Sequence, residues 1–410
     1  MKIRGHIYAA ALSLLLLPPT YVVDAQVIGS PYSIFGMGEL VDNNLGMNRS
    51  LAGTGIAFLS NRSINYLNPA SYLGIPSNSL LLEVGMYGVQ NNSQQKNLGQ
   101  TYKDINVSYM SVSLYLTDWW ALSFGVLPFS RVRYQINSTD VIGSELTSYQ
   151  KTYTGSGGLS RDYVGNSFRL FEHLTAGFDF SYIGGTVTET ESASGNNSLA
   201  DYTLTNTLTV RTTYLDYGLQ YTLPDHDWQY TLGVVYGASI RTNVSNDAQL
   251  ISGDSTTSVQ QSDNPILRIP QKFGIGLAAH SPSFQVGVDY EWEDWSVLRF
   301  SNPLFSTKNS NRFSFGVEYS PASSDGRSMI TSYRLGAKYK FSYLDVGGWS
   351  INSWGVTLGG GIPFQTININ ASVEYGEEGT LANGLIKSRY WMFYVSFSLT
   401  QIWSPSHSED

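Results

Sequence analysis

Three carboxylates recur at every second position in Asp289, Glu291 and Glu293, and three cations, Arg334, Lys338 and Lys340, share one face of a later alternating stretch. Arg312 and Glu318 sit on one side of the stretch between them. Extended backbone sends side chains two apart to the same face. Opposite charges placed so, two strands apart, can pair across a wet interior. Such an array could line a path for cations and polar substrates. Its plainer use is a set of salt bridges that pins an internal segment or fills a pore. Gly125, Pro128 and Phe129 carry a different kind of chemistry. Proline cannot donate to a sheet ladder and normally sits at an edge or a bulge. Pro128 lies inside a strand-like run, so it is expected to open or bulge the wall there, as a lateral port or as a structural kink.

Other chemistries find no purchase. The sequence shows no nucleophile elbow, phosphate-binding loop or zinc motif. His173, His226 and His280 are far apart, fall in expected short turns and lack metal-ligand spacing. They are also poorly placed to serve a Ser–His–acid site, so no enzyme activity, metal or cofactor is implied. Trp119, Trp120, Trp292 and Trp354 lie near expected strand ends, where interfacial girdle residues belong. A formal net charge of −8 supplies no basic stripe for nucleic acid. The absence of cysteine removes disulfides, thiolate chemistry and a lipoprotein anchor.

The elements that hold these residues follow from composition and period. Only 14% of the chain is charged while 13% is aromatic, yet mean hydropathy is −0.14. Apolar residues must therefore alternate with polar ones rather than run together, as in strands with one lipid face and one wet face. Ile367, Ile369, Ala371, Val373 and Tyr375 alternate with Asn368, Asn370, Ser372 and Glu374. Leu174, Ala176, Phe178, Phe180 and Tyr182 alternate with Thr175, Gly177, Asp179 and Ser181. No helices or second sheet are available to cover these apolar faces; a lipid belt and a closed sheet would do so.

Strands are expected at 79–90, 104–116, 120–136, 160–171, 174–190, 201–222, 228–245, 269–280, 284–294, 310–320, 328–342, 352–362, 365–376 and 388–402. Alternate connections are short, such as Thr117-Asp118-Trp119, Phe171-Glu172-His173 and Pro363-Phe364. The others are mostly longer: 91–103, 137–159, 191–200, 246–268, 295–309, 343–351 and 377–387. Outer-membrane barrels have an even strand count, short periplasmic turns and long outer loops. The expected fold class is therefore all-β, a 14-stranded antiparallel transmembrane β-barrel. The stretch 145–156 suits either a loop or an extra pair of strands.

The ends read differently. Residues 1–25 have the make-up of a cleavable signal peptide, with Lys2 and Arg4, an apolar run from Ala9 to Leu17, and Val23-Asp24-Ala25 before the cut. This implies export to the outer membrane of a diderm bacterium. Residues 26–78 are rich in Gly, Asn and Ser and lack alternation, so they are expected to form an N-terminal hatch in the lumen. A fourteen-strand barrel is wider than the eight-strand size that side chains alone can fill. The barrel is expected over 79–402, with a periplasmic tail at 403–410.

Within the hatch, Gly53-Thr54-Gly55-Ile56-Ala57 and Ile64-Asn65-Tyr66-Leu67-Asn68-Pro69-Ala70-Ser71 resemble the N-terminal hatch of the FadL family of hydrophobic-compound transporters. Leu122 to Phe129, Gly157-Gly158-Leu159-Ser160-Arg161 and Tyr375 to Thr380 are similar to that family as well. The resemblance implies a hatch turn or gate at Asn68, Pro69 and Ala70, and a lateral opening at the third strand facing it. It implies passive uptake of small hydrophobic compounds such as long-chain fatty acids, with outer-membrane lipid and the compounds themselves as partners. An apolar outer groove with a basic residue for a carboxylate is not found in the sequence. PorV-like barrels are relatives that do not transport. The alternative expectation is therefore an accessory barrel of an outer-membrane protein secretion or assembly complex, with secretion or assembly proteins as partners.

Overall fold

The computed structural model describes residues 30–42, 44–141, 148–195, 201–253, 255–259, 267–298, 305–321 and 331–403. The expected signal peptide at 1–25, tail residues 404–410 and most of the Pro321 to Arg327 connection lie outside the described residues.

Fourteen antiparallel strands form the wall. They are β1 (Ser79–Gln95), β2 (Leu98–Thr117), β3 (Trp120–Val141), β4 (Ser148–Phe171), β5 (Leu174–Gly195) and β6 (Tyr202–Asp225). Next comes β7, in two parts, Trp228–Gly237 and Ile240–Ser252. Then follow β8 (Lys272–His280), β9 (Phe284–Glu293), β10 (Ser310–Tyr319) and β11 (Ser332–Phe341). The last three are β12 (Ser353–Phe364), β13 (Ile367–Gly379) and β14 (Lys387–Ile402). Each strand pairs with the next, and β1 closes the barrel on β14 from Ser79↔Ile402 to Gln94↔Lys387. No helix among the described residues is long and apolar enough to cross a membrane; the crossing is made by strands.

Side-chain placement along β6 shows why this sheet needs lipid. Asp216 and Gln220 point inward and are 4% and 1% exposed, whereas Leu215, Tyr217, Leu219 and Tyr221 point outward and are each more than a third exposed. The apolar face is the outer one, the reverse of a soluble protein. Phe178 and Phe180 on β5, Phe313 and Phe315 on β10, and Phe393 and Phe397 on β14 follow the same rule.

Several expected loops are strand instead. At 91–103, β1 and β2 run on to a tight turn whose Lys96 has φ 49°. Much of 137–159 belongs to β3 and β4, and residues 148–156 of the stretch at 145–156 form the outer part of the fourth strand. At 246–268, β7 continues to Ser252 and turns into a hairpin with Ser255–Val259. The physical reason is common to all three. Past the lipid belt both faces of a strand are wet, so hydrophobic alternation fades while the backbone ladder continues. Strands β3 to β6 reach 22 to 24 residues, about twice the roughly 9–11 needed to cross a bilayer.

Inside the wall, the chain from Ser30 to Asn78 descends from the loop end to the turn end. Tyr32 donates to Ile386 O at 2.6 Å near the loops, and Ser79 opens β1 at the other end. The wall makes room with glycines on its inner face. A Cβ at Gly177 would lie 2.5 Å from Pro69 O, and Gly336 and Gly233 leave similar gaps for the backbones of Leu51 and Ile56.

Candidate functional site: a filled lumen beside a split wall

The lumen is filled in three levels. Nearest the turns, buried carboxylates of the wall grip the N-terminal segment. Glu83, fully buried, accepts from Ser63 Oγ and Ile64 N at 2.9 Å each and from Tyr109 Oη. Asp179 accepts from Tyr72 Oη at 2.9 Å. Asp289 accepts from the backbone N–H of Gly55 at 2.6 Å and of Ile56 at 2.9 Å. Arg161 donates to Tyr66 Oη at 2.9 Å and pairs with Asp216 at 3.3 Å, and Asp216 is shared with Lys272 at 2.9 Å. Tyr66, Tyr72, Leu73 and Ile75 pack beside these groups against Leu81, Tyr109 and Tyr115.

The middle level is ionic. Asp42 of the segment is held by Lys338 at 2.8 Å, with Arg312 4.0 Å away. Arg312 pairs with Glu291, Lys338 reaches Glu374 at 2.9 Å, and Arg334 pairs with Glu318 at 2.6 Å. Burial pushes the Asp42 carboxyl up, but Lys338, Lys340 and Arg312 outweigh it and hold the group well below its usual range. A depressed pKa contributes stability that is complete above about pH 3.9 and is lost as pH falls toward the folded-state value. Asp42→Asn is therefore expected to destabilise the barrel by about 2–4 kcal/mol at neutral pH, because it removes the carboxylate shared by Lys338 and Arg312 and leaves them only Glu374 and Glu291. Melting in detergent from pH 7 to pH 3 checks this: the gap to the parent should close only in the acid range.

Toward the loops the lumen is an apolar core. Tyr32 and Met37 of the segment pack with Phe129, Leu159, Ile183, Val210 and the inward-folded loop residues Trp295, Tyr343 and Leu344. Among the loops, Phe305–Thr307, Leu344–Val346 and Trp349–Ser350 form a small separate sheet.

The wall itself is split. β2 and β3 pair only from Met110↔Val126 down to Thr117↔Trp120. Above that level β2 pairs with β1 alone and β3 with β4. The register of β3 shifts between Pro128 and Ser130, as expected where proline interrupts a ladder. The segment strand Glu39–Leu40 pairs with Arg131 and Ser130 of β3, and Val41 N donates to Phe129 O at 3.0 Å. Arg133 of β3 and Asp104 of β2 form an ion pair across the split at 3.2 Å. A cavity of 450 Å³ lies behind it, reached by both strands and by the segment.

With the geometry in place, comparison with known proteins is informative. The model of the BamG family matches residues 8–406. The chain belongs to the BamG family. Solved structures add the fold. A toluene transporter of Pseudomonas putida, TodX, aligns with a TM-score of 0.59 at 14% identity, covering 88% of this chain and 98% of that one. A FadL homologue of Pseudomonas aeruginosa aligns at 0.59 and 12%, covering 88% and 99%. The Ralstonia pickettii toluene transporter TbuX aligns at 0.58 and 12%, again covering 88% and 99%. At such identities the likeness is one of fold, that of a FadL-type outer-membrane barrel. No curated protein matches.

In this BamG-family chain, the charged residues singled out from sequence do face the lumen, but they pair differently from expectation. Glu291 meets Arg312 and Glu318 meets Arg334 on neighbouring strands, because the register sets each pair directly opposite. Pairing two strands apart occurs in Lys338–Glu374. Glu293 accepts from Trp295 Nε1 at 2.7 Å, and Lys340 lines the cavity. Gly125, Pro128 and Phe129 lie at the upper limit of β2–β3 pairing. The Asn68-Pro69-Ala70 turn, however, does not face the split. It packs on β4 to β6, where Ser167 Oγ donates to Ala70 O at 2.9 Å and Asn68 Nδ2 to Leu219 O at 3.1 Å. The split is faced by Gly38 to Val41, of which Glu39 and Leu40 pair with the β3 edge closer to the loops.

Sequence reasoning did not single out Glu83, Asp179, Asp216, Asp42 or Arg49. The first three stand at inward positions of alternating strands, so that signal was available. Asp42 and Arg49 lie in a segment without a period, where no spacing marks them.

Proposed function

We propose that this barrel is a non-transporting accessory subunit of an outer-membrane protein secretion or assembly complex. The observation that carries this reading is the lumen, occupied from loop end to turn end by the chain itself. Movement of a solute along the axis would have to break carboxylate clamps, buried ion pairs and an apolar core together. Membership of the BamG family over nearly the whole chain is compatible with a role apart from the transporters, which share the fold at 12–15% identity. The test is purification of a tagged chain at native expression from outer membranes, joined to planar-bilayer recordings. The expected result is fixed-ratio co-purification with secretion or assembly proteins and no conductance. A solitary barrel, together with loss of hydrophobic uptake in a deletion strain, would sink the idea.

A second reading is supported by the split wall: passive uptake of small hydrophobic compounds such as long-chain fatty acids, leaving sideways between β2 and β3. The Gly125, Pro128 and Phe129 kink would then act as the port, with Glu39 to Val41, which pair with its β3 edge, as the gate. The arginines and carboxylates lining the cavity weigh against an uncharged cargo. Uptake of a labelled fatty acid by cells with and without the gene separates the two readings.

A further inference from the structure

The cavity behind the split has the features of a lipid site, a property beyond either reading above. Its volume of 450 Å³ falls within the range of small-molecule sites. Its membrane side is formed by Tyr102, Asp104 and Asn106 of β2 and Arg131, Val132 and Arg133 of β3. Alternating with these residues on β2, Ile105 and Val107 point outward and are 81% and 66% exposed. The register sets them beside Gly88 and Met86, and so level with the outward Phe393 and with Val395 of β14. The split thus opens the lumen to the lipid belt. Backbone groups on its two edges lack ladder partners over much of this height, which hydrocarbon cannot supply and a polar head group can.

The inner wall is built for an anion. Arg49 is more than nine-tenths buried, yet its Nε has no partner. Its other nitrogens reach only Tyr394 Oη at 3.4 Å and Ser108 Oγ at 3.3 Å. The guanidinium lies 4.7 Å from the Tyr394 ring, and that of Arg131 lies 4.8 Å from the Tyr87 ring. The two rings are 5.8 Å apart, so two arginines bracket one tyrosine pair. Glu39 attracts Arg131, while Arg49 and Arg133 repel it. Arg312 and Lys338 are already engaged by Asp42, Glu291 and Glu374, and Arg133 by Asp104. Arg49, Arg131 and Lys340 remain against Glu39 and Glu378 in the lining. The excess positive charge, held away from water, calls for a counter-anion, and guanidinium forks suit phosphate.

We infer that this cavity holds the phosphate-bearing head group of a membrane lipid between Arg49 and Arg131, with the acyl chains passing out through the split between β2 and β3. The leaflet is that of the loop end, which is the outer one in barrels of this type. The lipid stays bound and is not carried through.

The experiment is calorimetric titration of the full barrel in neutral detergent with dodecyl phosphate, dodecanoate and inorganic phosphate. The expected result is saturable binding of one dodecyl phosphate per barrel, weakened at least tenfold in Arg49→Gln/Arg131→Gln. Arg49→Lys/Arg131→Lys keeps the charge but loses the forks, and should fall between the two. This pair also serves as the comparison if the glutamine variant does not insert. Lys387→Gln, a loop-end cation outside the cavity, should bind as the parent does. Equal binding by the parent and either arginine variant overturns the site. Dodecanoate binding as tightly as dodecyl phosphate overturns the phosphate assignment, and inorganic phosphate binding as tightly overturns the lipid.

Discussion

Asp289→Ala is expected to release the N-terminal segment from the wall and turn a silent barrel into a conducting one. The carboxylate accepts from two consecutive backbone N–H groups, Gly55 and Ile56, inside a lumen where water is scarce. Alanine leaves both donors buried without a partner, at a cost of about 1–3 kcal/mol each. The penalty falls on the docked state, because an undocked segment finds water. The equilibrium between docked and released segment should therefore shift by about 2–6 kcal/mol, or roughly one and a half to four powers of ten. Neighbouring grips at Glu83 and Asp179 remain, so release should be partial and frequent rather than permanent. Single-channel recording is the direct measurement. Brief openings in Asp289→Ala, absent from the parent, are the expected outcome. A silent trace with unchanged melting would mean that the segment is held by packing alone.

A second large effect is expected from the opposite kind of change, adding atoms where the wall has none. Gly233 of β7 faces the backbone of Ile56, and a Cβ there would overlap the Ile56 carbonyl and approach Ala57 Cα at 3.0 Å. Backbone cannot step aside as a flexible side chain does. Gly233→Val must displace the segment or distort the strand, and the valine itself suits a strand well. Barrel assembly should therefore survive while docking fails. The chain has no native cysteine, so Ala52→Cys introduces a single label site within the buried segment. In the otherwise unchanged barrel this thiol should resist a water-soluble maleimide. With Gly233→Val added, labelling should rise at least tenfold. Equal labelling in the two would argue that the segment tolerates the clash or was never docked there.

These two sites also illustrate what could be read in advance. Asp289 was marked by its alternation with Glu291 and Glu293, which placed it inward before any coordinates. Its actual partners, two amides more than two hundred residues earlier, carry no trace in spacing. Gly233 was anonymous among forty glycines. Its meaning lies in which piece of chain passes opposite, a matter of register and descent through the lumen. Pro128 gives the intermediate case. That it interrupts the wall follows from its missing N–H. That β2 then parts from β3 all the way to the loops, and that Glu39–Leu40 pairs with the freed edge, does not follow.

Period-two alternation in a chain with few charges, together with short turns between long excursions, determined the fourteen-strand barrel, because a lipid-facing sheet must repeat one local pattern fourteen times. The same pattern named the inward charges. It fails where both faces are wet, so the outer parts of the strands read as loops, and it is mute for the aperiodic segment at 26–78. Only the tertiary structure decided how that segment is held, which residues line the split, and that Arg49 and Arg131 meet around a tyrosine pair. Those contacts join distant parts of the chain through the lumen, and a local repeat holds no record of what lies across it.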